Sequence, residues 1–197
     1  MTDEAGPDLN QRIAARVRQL RAGAGLSLEA LAQRSGVSRS MISLVERGEA
    51  SPTAVVLERL ATGLGSTLAA LFDPPTPAPA EPVARRAQQP LWQDPATGYQ
   101  RRNLSPPGVP SPLHLVEVQF PPGATVAYES GARVHTVHQQ VWLISGQLTV
   151  TSGPNTLQLQ PGDCWAMTLD QPNSFHNPGH SPAHYLVAVV DSTPRRA

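Results

Sequence analysis

The stretch LSLEALAQRSGVSRSMISLVERGEASPT, residues 26–53, decides the fold of the N-terminal part of the chain. Apolar residues recur at helical spacing on two short segments within it, 27–34 and 38–47. Gly36 stands between them, where a tight turn needs a left-handed residue, and Ser38 stands where the second helix needs an N-cap. The pattern predicts two helices joined by a short turn, the layout that seats the second helix in a DNA major groove.

The flanking sequence predicts further helices around this pair. Ile13, Val17 and Leu20 form one apolar face before it. After it, Ser51-Pro52 predicts the start of a fourth helix, since proline is tolerated at the first helical position. A last apolar segment, 68–72, closes the bundle as a fifth helix. We therefore predict an all-α five-helix bundle over residues 9–72.

The rest of the chain divides into a linker and a β-rich domain. Residues 73–90 carry six prolines and predict an extended spacer, because such a segment cannot bury a core. Residues 113–191 change to period-two alternation, as in LHLVEVQF at 113–120 and AHYLVAVV at 183–190. We expect the domain to span 91–191, with residues 93–104 as a peripheral strand. Several short strands at this spacing predict an antiparallel sandwich or barrel, and we expect a β-barrel.

Composition excludes several classes of protein. The 197 residues hold 15 arginines, no lysine and 15 acidic residues, so the formal net charge is zero. The segment 10–66, however, holds eight arginines and four glutamates, a local net charge of +4. The single Cys164 excludes an intrachain disulfide and a cysteine-rich zinc site. With no secretory signal and no apolar stretch of membrane-spanning length, the expected location is the cytoplasm.

Residues 9–72 resemble the Xre/phage-repressor family of helix-turn-helix domains in helix spacing, turn glycine and the ERG-x-x-x-P tail. The resemblance implies a structural ion pair between Arg21 and Glu46. It also implies that the second helix of the motif reads double-stranded DNA. The exposed polar positions expected to contact DNA are Ser38, Arg39, Ser40, Ser43 and Arg47.

The order of turns and strands over 113–191 resembles the cupin family. Anchored on its glycine and proline turns, the resemblance places the metal-ligand positions of that family at Arg133, His135, Gln139 and Asn173. One imidazole, two amides and a guanidinium are a poor donor set for iron, manganese or zinc. We therefore expect no metal and no other cofactor, and by strand alternation His138 and His176 should point away from this cluster.

Such a polar cluster inside an apolar β-domain suits a small anionic effector, with Arg133 as the fork that holds the anion. Tyr128 is a candidate wall of this effector site, as is Trp142, although aromatic residues on strands often only pack. The alternative is an arginine–amide network that satisfies itself. Arg101 and Arg102 are interpreted as solvated or strand-edge charges, with phosphate contact as the other possibility.

Together these patterns indicate a non-enzymatic, DNA-binding transcriptional regulator with a cupin sensor domain. Proteins of the resembled kind are homodimers on inverted repeats, and the same is implied here. Two alternatives stay open. One is a cupin-type metal-dependent oxygenase or epoxidase with a helix-turn-helix head, and the other is a DNA-binding protein with an inert cupin domain.

Overall fold

The computed structural model describes residues 7–75, 81–109, 111–129 and 136–191, of which Pro7, Asp8 and Asp191 by their backbone alone. The N-terminal unit, called the head below, contains the α-helices α1 (Pro7–Gly23), α2 (Leu28–Ser35), α3 (Arg39–Glu46) and α4 (Ala54–Gly63). None of the helices in these ranges has the length and apolar character needed to cross a bilayer.

The prediction of a five-helix bundle is wrong in its last element. Within the described residues the head has four α-helices, followed by a single 3₁₀ turn at Ala69–Phe72. Asp73, which precedes Pro74, is extended with ψ 147°, because the proline ring disfavours helical backbone in the residue before it. The segment therefore ends after one turn.

The helix starts follow local capping chemistry. The hydroxyl of Ser27 accepts from the Ala30 amide at 3.1 Å, and that of Ser38 accepts from the Met41 amide at 3.2 Å. Helix α4 starts at Ala54 rather than at Pro52, because the Thr53 hydroxyl serves as its N-cap.

In the described residues of the C-terminal unit, called the β-domain below, ten antiparallel strands form two sheets. The six-stranded sheet has the order β1-β2-β3-β10-β5-β8, and the four-stranded sheet has the order β4-β9-β6-β7. The strands are β1 (Leu91–Gln93), β2 (Gln100–Asn103), β3 (Leu113–Phe120), β4 (Thr125–Tyr128), β5 (Val137–Ser145), β6 (Leu148–Ser152), β7 (Asn155–Leu159), β8 (Cys164–Thr168), β9 (Asn173–His176) and β10 (Ala183–Asp191).

The expected β-barrel is not closed. Among the described residues, no strand of one sheet pairs with a strand of the other. Strand β1 lies at the edge of the six-stranded sheet and packs against the head, where the Trp92 ring meets Phe72 edge-on with centroids 5.8 Å apart. This edge is therefore covered by the head instead of being joined to the second sheet.

The head and the β-domain share one hydrophobic core. The amide of Ala54, at the start of α4, donates to the Asp94 carboxylate at 2.8 Å, and Asn103 Nδ2 donates to the Ala69 carbonyl at 3.2 Å. At the surface, Arg59 Nη2 lies 2.7 Å from the Glu129 carboxylate. Strands β1 and β2, with the loop between them, therefore fix the head to the β-domain.

An ion pair of low exposure ties the first and third helices together. Arg21 donates from Nε to Glu46 Oε1 at 2.6 Å and from Nη2 to Glu46 Oε2 at 2.8 Å. Its Nη1 also donates to the Leu26 carbonyl at 2.8 Å, just before α2. The Glu46 side chain is 7% exposed, so removal of its partner would leave a nearly buried carboxylate.

We predict that Arg21→Met lowers the free energy of unfolding by about 2 kcal/mol, because a carboxylate of low exposure loses its charge-assisted hydrogen bonds. Urea unfolding measures the change. The double variant Arg21→Met/Glu46→Gln should recover part of the loss, since the charge left behind is then neutral. Arg47→Met, which breaks an exposed ion pair, is the control and should leave the midpoint unchanged. Equal midpoints for Arg21→Met and the wild type would contradict the structural role of the pair.

Candidate DNA-binding face and interdomain cavity

Helix α3 presents its N-terminal turn to solvent. Ser38, Arg39 and Ser40 are exposed, while Ile42 and Val45 of the same helix are buried in the head. The Ser38 hydroxyl caps the helix and lies 3.1 Å from the Ser40 hydroxyl. The tight turn before α3 depends on Gly36, whose φ of 66° is costly for residues with a Cβ. The turn thus sets the angle at which the exposed residues of α3 project.

The two arginines predicted to contact DNA differ in their surroundings. Arg47 donates to the Ser43 hydroxyl and, at 2.8 Å, to the Glu49 carboxylate. The Arg47 guanidinium accordingly lowers the pKa of Glu49. The Arg39 side chain is exposed and makes no hydrogen bond or ion pair with the described residues, so its guanidinium is available to contact the edge of a base.

A cavity lies between the two sheets, where the head closes one end. The cavity volume is about 60 Å³. Two parts of the head line the cavity: Glu58 of helix α4, and residues 67–69 near the end of the head. The β-domain contributes mainly apolar and aromatic side chains, with a few polar groups among them. This composition is typical of small-molecule sites.

The tyrosine hydroxyls of Tyr99, Tyr128 and Tyr185 are hydrogen-bond donors at this cavity. Burial raises the pKa of all three, and for Tyr128 and Tyr185 it does so well above the ordinary value. They are therefore neutral near pH 7. The hydroxyls of Tyr99 and Tyr128 lie 3.3 Å apart.

The predicted effector residues fall into two groups. Gln139 and Asn173, each 9% exposed, line the cavity together with Tyr128. Arg133 and His135 lie outside the described residues. Trp142, named from the sequence as a candidate wall, points the other way and is 47% exposed, because strand alternation places it on the outer face with His138.

The donor set at the described metal-ligand positions does not fit a transition metal. Gln139 and Asn173 offer neutral amides where metal-binding cupins would place a carboxylate and an imidazole. His176 is on the opposite side of β9 from Asn173, and its ring nitrogen contacts the Thr125 hydroxyl at 2.8 Å. Within the described ranges, no three histidine, cysteine, aspartate or glutamate side chains come together.

Arg101 was missed by the sequence interpretation, which favoured a solvated or strand-edge charge. It is 7% exposed and lines the cavity, and its guanidinium lies 5.5 Å from the centroid of the Phe72 ring. The alternation of β2 gives the reason, since Arg101 and Asn103 share the inward face. Period-two alternation that starts at Tyr99 predicts that Arg101 points inward. The polar side chains of β2 make this alternation hard to recognise from the sequence.

Comparison with known proteins places the two units in families. Residues 12–71 match a helix-turn-helix domain model, and residues 116–189 match a cupin domain model. The chain is 28% identical to the HTH-type transcriptional regulator SutR of Escherichia coli (strain K12) over 86% of this chain and 89% of SutR. It is 25% identical to the HTH-type transcriptional regulator PuuR of the same organism, over 82% of this chain and 85% of PuuR.

A solved structure has a similar fold over most of the chain. An HTH_3 family transcriptional regulator from Vibrio cholerae superposes with a TM-score of 0.74 and 25% identity, covering 95% of this chain and 98% of that chain. The chain therefore carries a helix-turn-helix domain in its head and a cupin domain in its β-domain, and it is homologous to HTH-type transcriptional regulators.

Proposed function

We propose that this protein is a sequence-specific DNA-binding transcriptional regulator that acts as a homodimer and responds to a small effector in its β-domain. The observation that carries the proposal is the exposed first turn of α3, on a helix held by the Arg21–Glu46 pair. On this turn the Arg39 side chain has no partner among the described residues. The family of the head and the regulator homologues support the same reading.

The electrostatics of the head suit DNA. Its local net charge of +4 over residues 10–66 provides attraction to phosphates, although the chain as a whole is neutral. Arg39 then supplies base discrimination, because a guanidinium can donate two hydrogen bonds to the major-groove edge of guanine. One head offers few base contacts, so operator affinity requires two heads on half-sites about 34–36 Å apart.

The outer face of the six-stranded sheet is the surface that we assign to the second copy. Two cross-strand pairs on this face are apolar: Leu115 lies opposite Ala188, and Leu186 lies opposite Trp142. The same face also carries polar residues, with Glu117 opposite Leu186 and Gln140 opposite Ala188. Trp142 is 47% exposed, and Leu115 and Ile144 are 37% exposed each. Burial of this face against an identical one would remove apolar surface from water and hold two heads in fixed relation.

The effector assignment rests on the cavity. Gln139, Asn173 and Tyr128 are the described members of the predicted effector site, and Arg133 and His135 complete it in the proposal. An oxygenase or epoxidase role has weaker support, because two of its ligand positions hold amides and the sequence homologues are regulators.

We predict that Arg39→Ala reduces discrimination between operator and unrelated DNA by about 1–3 kcal/mol, the usual value of a bidentate arginine–guanine contact. An operator selected from random DNA by the wild type, followed by competition binding at fixed salt, measures it. Arg86→Ala is the control, because it removes the same charge from an exposed position on the β-domain. An unchanged operator preference for Arg39→Ala would show that Arg39 does not discriminate between bases.

We predict that Trp142→Glu converts the dimer to a monomer and weakens operator binding, because a charge replaces the exposed indole in the surface assigned to the second copy. Sedimentation velocity and operator titration measure the two effects. Leu157→Glu is the matched control: Leu157 is 50% exposed but lies on the four-stranded sheet, so this variant should stay dimeric. A dimeric Trp142→Glu protein would show that another surface joins the copies.

A further inference from the structure

The wall of the cavity contains a buried cation, Arg101, for which the described residues provide no counter-ion. Arg101 is 7% exposed, and its Nε has no hydrogen-bond partner among the described residues. Within those residues no carboxylate lies within 4.0 Å of its guanidinium. The Phe72 ring, 5.5 Å from the guanidinium carbon, provides the only aromatic face that contacts this charge in the described part of the chain. Such a contact offsets only part of the cost of burying a charge.

The groups near Arg101 are suited to an oxyanion. Burial raises the pKa of Tyr99 and of Tyr185, and the positive charge of Arg101 opposes part of this increase. The two neutral hydroxyls therefore lie within electrostatic range of the guanidinium. The amides of Gln139 and Asn173 line the same cavity and add hydrogen-bonding groups to its wall. Among the described residues, Glu58 is the other charged residue on the wall, and it has an interaction of its own.

The size of the cavity restricts the anion. A cavity needs roughly 10–15 Å³ to hold a single water molecule. The cavity volume of about 60 Å³ therefore holds an anion of only a few heavy atoms. A carboxylate of the size of acetate fits this volume, as does a tetrahedral oxyanion such as phosphate.

Arg101 also contacts the head. Its guanidinium lies over Phe72, the last residue of the 3₁₀ turn that ends the head, and strand β2 carries both Arg101 and Asn103. Asn103 donates to the Ala69 carbonyl in the same turn. An anion that draws the guanidinium into the cavity would weaken its contact with Phe72, so one side chain connects the cavity to the DNA-binding unit.

We propose that the cavity binds a small oxyanion on Arg101, and that occupancy changes the affinity of the head for DNA through the Arg101–Phe72 contact. The inference rests on the proposed regulator function, since it names the ligand class and the regulation of the same site. Coupling of this kind is reciprocal: the factor by which the anion changes DNA affinity is the factor by which DNA changes anion affinity.

The test uses acetate and inorganic phosphate as probes, with acetamide as the neutral counterpart of acetate. Chloride keeps the ionic strength constant, because salt alone weakens DNA binding. Calorimetry of the full-length protein measures anion affinity, and fluorescence anisotropy measures operator affinity with and without the anion. We expect binding of at least one anion, no binding of acetamide, and a change in operator affinity of about fivefold or more.

Two variants locate the effect. Arg101→Gln should weaken anion binding about tenfold or more, since a charge-assisted contact is lost, while Arg86→Gln should not. Phe72→Leu should keep anion binding and lose the response of the operator affinity, which separates the site from its connection to the head. Because Phe72→Leu retains Arg101, the proposal stays testable if Arg101→Gln does not fold.

The outcomes separate this inference from the proposed function. No anion binding at millimolar concentration, or equal binding by the wild type and a folded Arg101→Gln, would overturn the anion site. Anion binding with an unchanged operator affinity would overturn the coupling. Failure of the wild type to prefer any operator would instead overturn the regulator function, and calorimetry would still report on the anion site.

Discussion

The docking of the head onto strands β1 and β2 is the constraint on which the rest of the structure depends. Asp94 accepts the first amide of α4, Asn103 holds the Ala69 carbonyl, and Trp92 packs on Phe72. From this seam, aromatic contacts continue through Tyr99 and Phe120 to Tyr185. Tyr99, Phe120 and Tyr185 line the cavity, and so do Glu58 and residues 67–69 of the head, so the cavity belongs to both units. The hydrogen bonds at the seam also satisfy a helix terminus that would otherwise be buried without partners.

The division of labour within the head follows from exposure. Arg21 and Glu46 are largely withdrawn from water and form a structural pair, whereas Arg39 is exposed and has no partner among the described residues, as our proposed contact with DNA requires. The two arginines carry the same charge, but their surroundings differ. A chain with no net charge can still attract DNA, because the positive charge is concentrated in the head.

The sequence predicts most of the fold because its signals are local. Helical spacing, the capping serines and Gly36 specify α2 and α3 to within one residue at each end, and period-two alternation correctly orients Gln139 and Trp142 on opposite faces of β5. What escapes prediction is tertiary. The head covers the edge of β1, and among the described residues this strand pairs with no strand of the second sheet. The alternation of β2 identifies Arg101 as an inward position, but its contact with Phe72 of the head is tertiary, and an arginine in a polar strand is usually exposed.

The head and the β-domain share one core, and we expect them to unfold as one cooperative unit, which is what an event in the cavity needs in order to reach the DNA-binding face. Native-state hydrogen exchange distinguishes joint from separate unfolding, by comparing the opening free energies of the Leu57 amide in α4 and the Val187 amide in β10. Both residues are buried in the shared core, so equal opening free energies are expected. Exchange of the Leu57 amide through a separate opening of lower free energy, with Val187 still protected, would show that the head unfolds on its own.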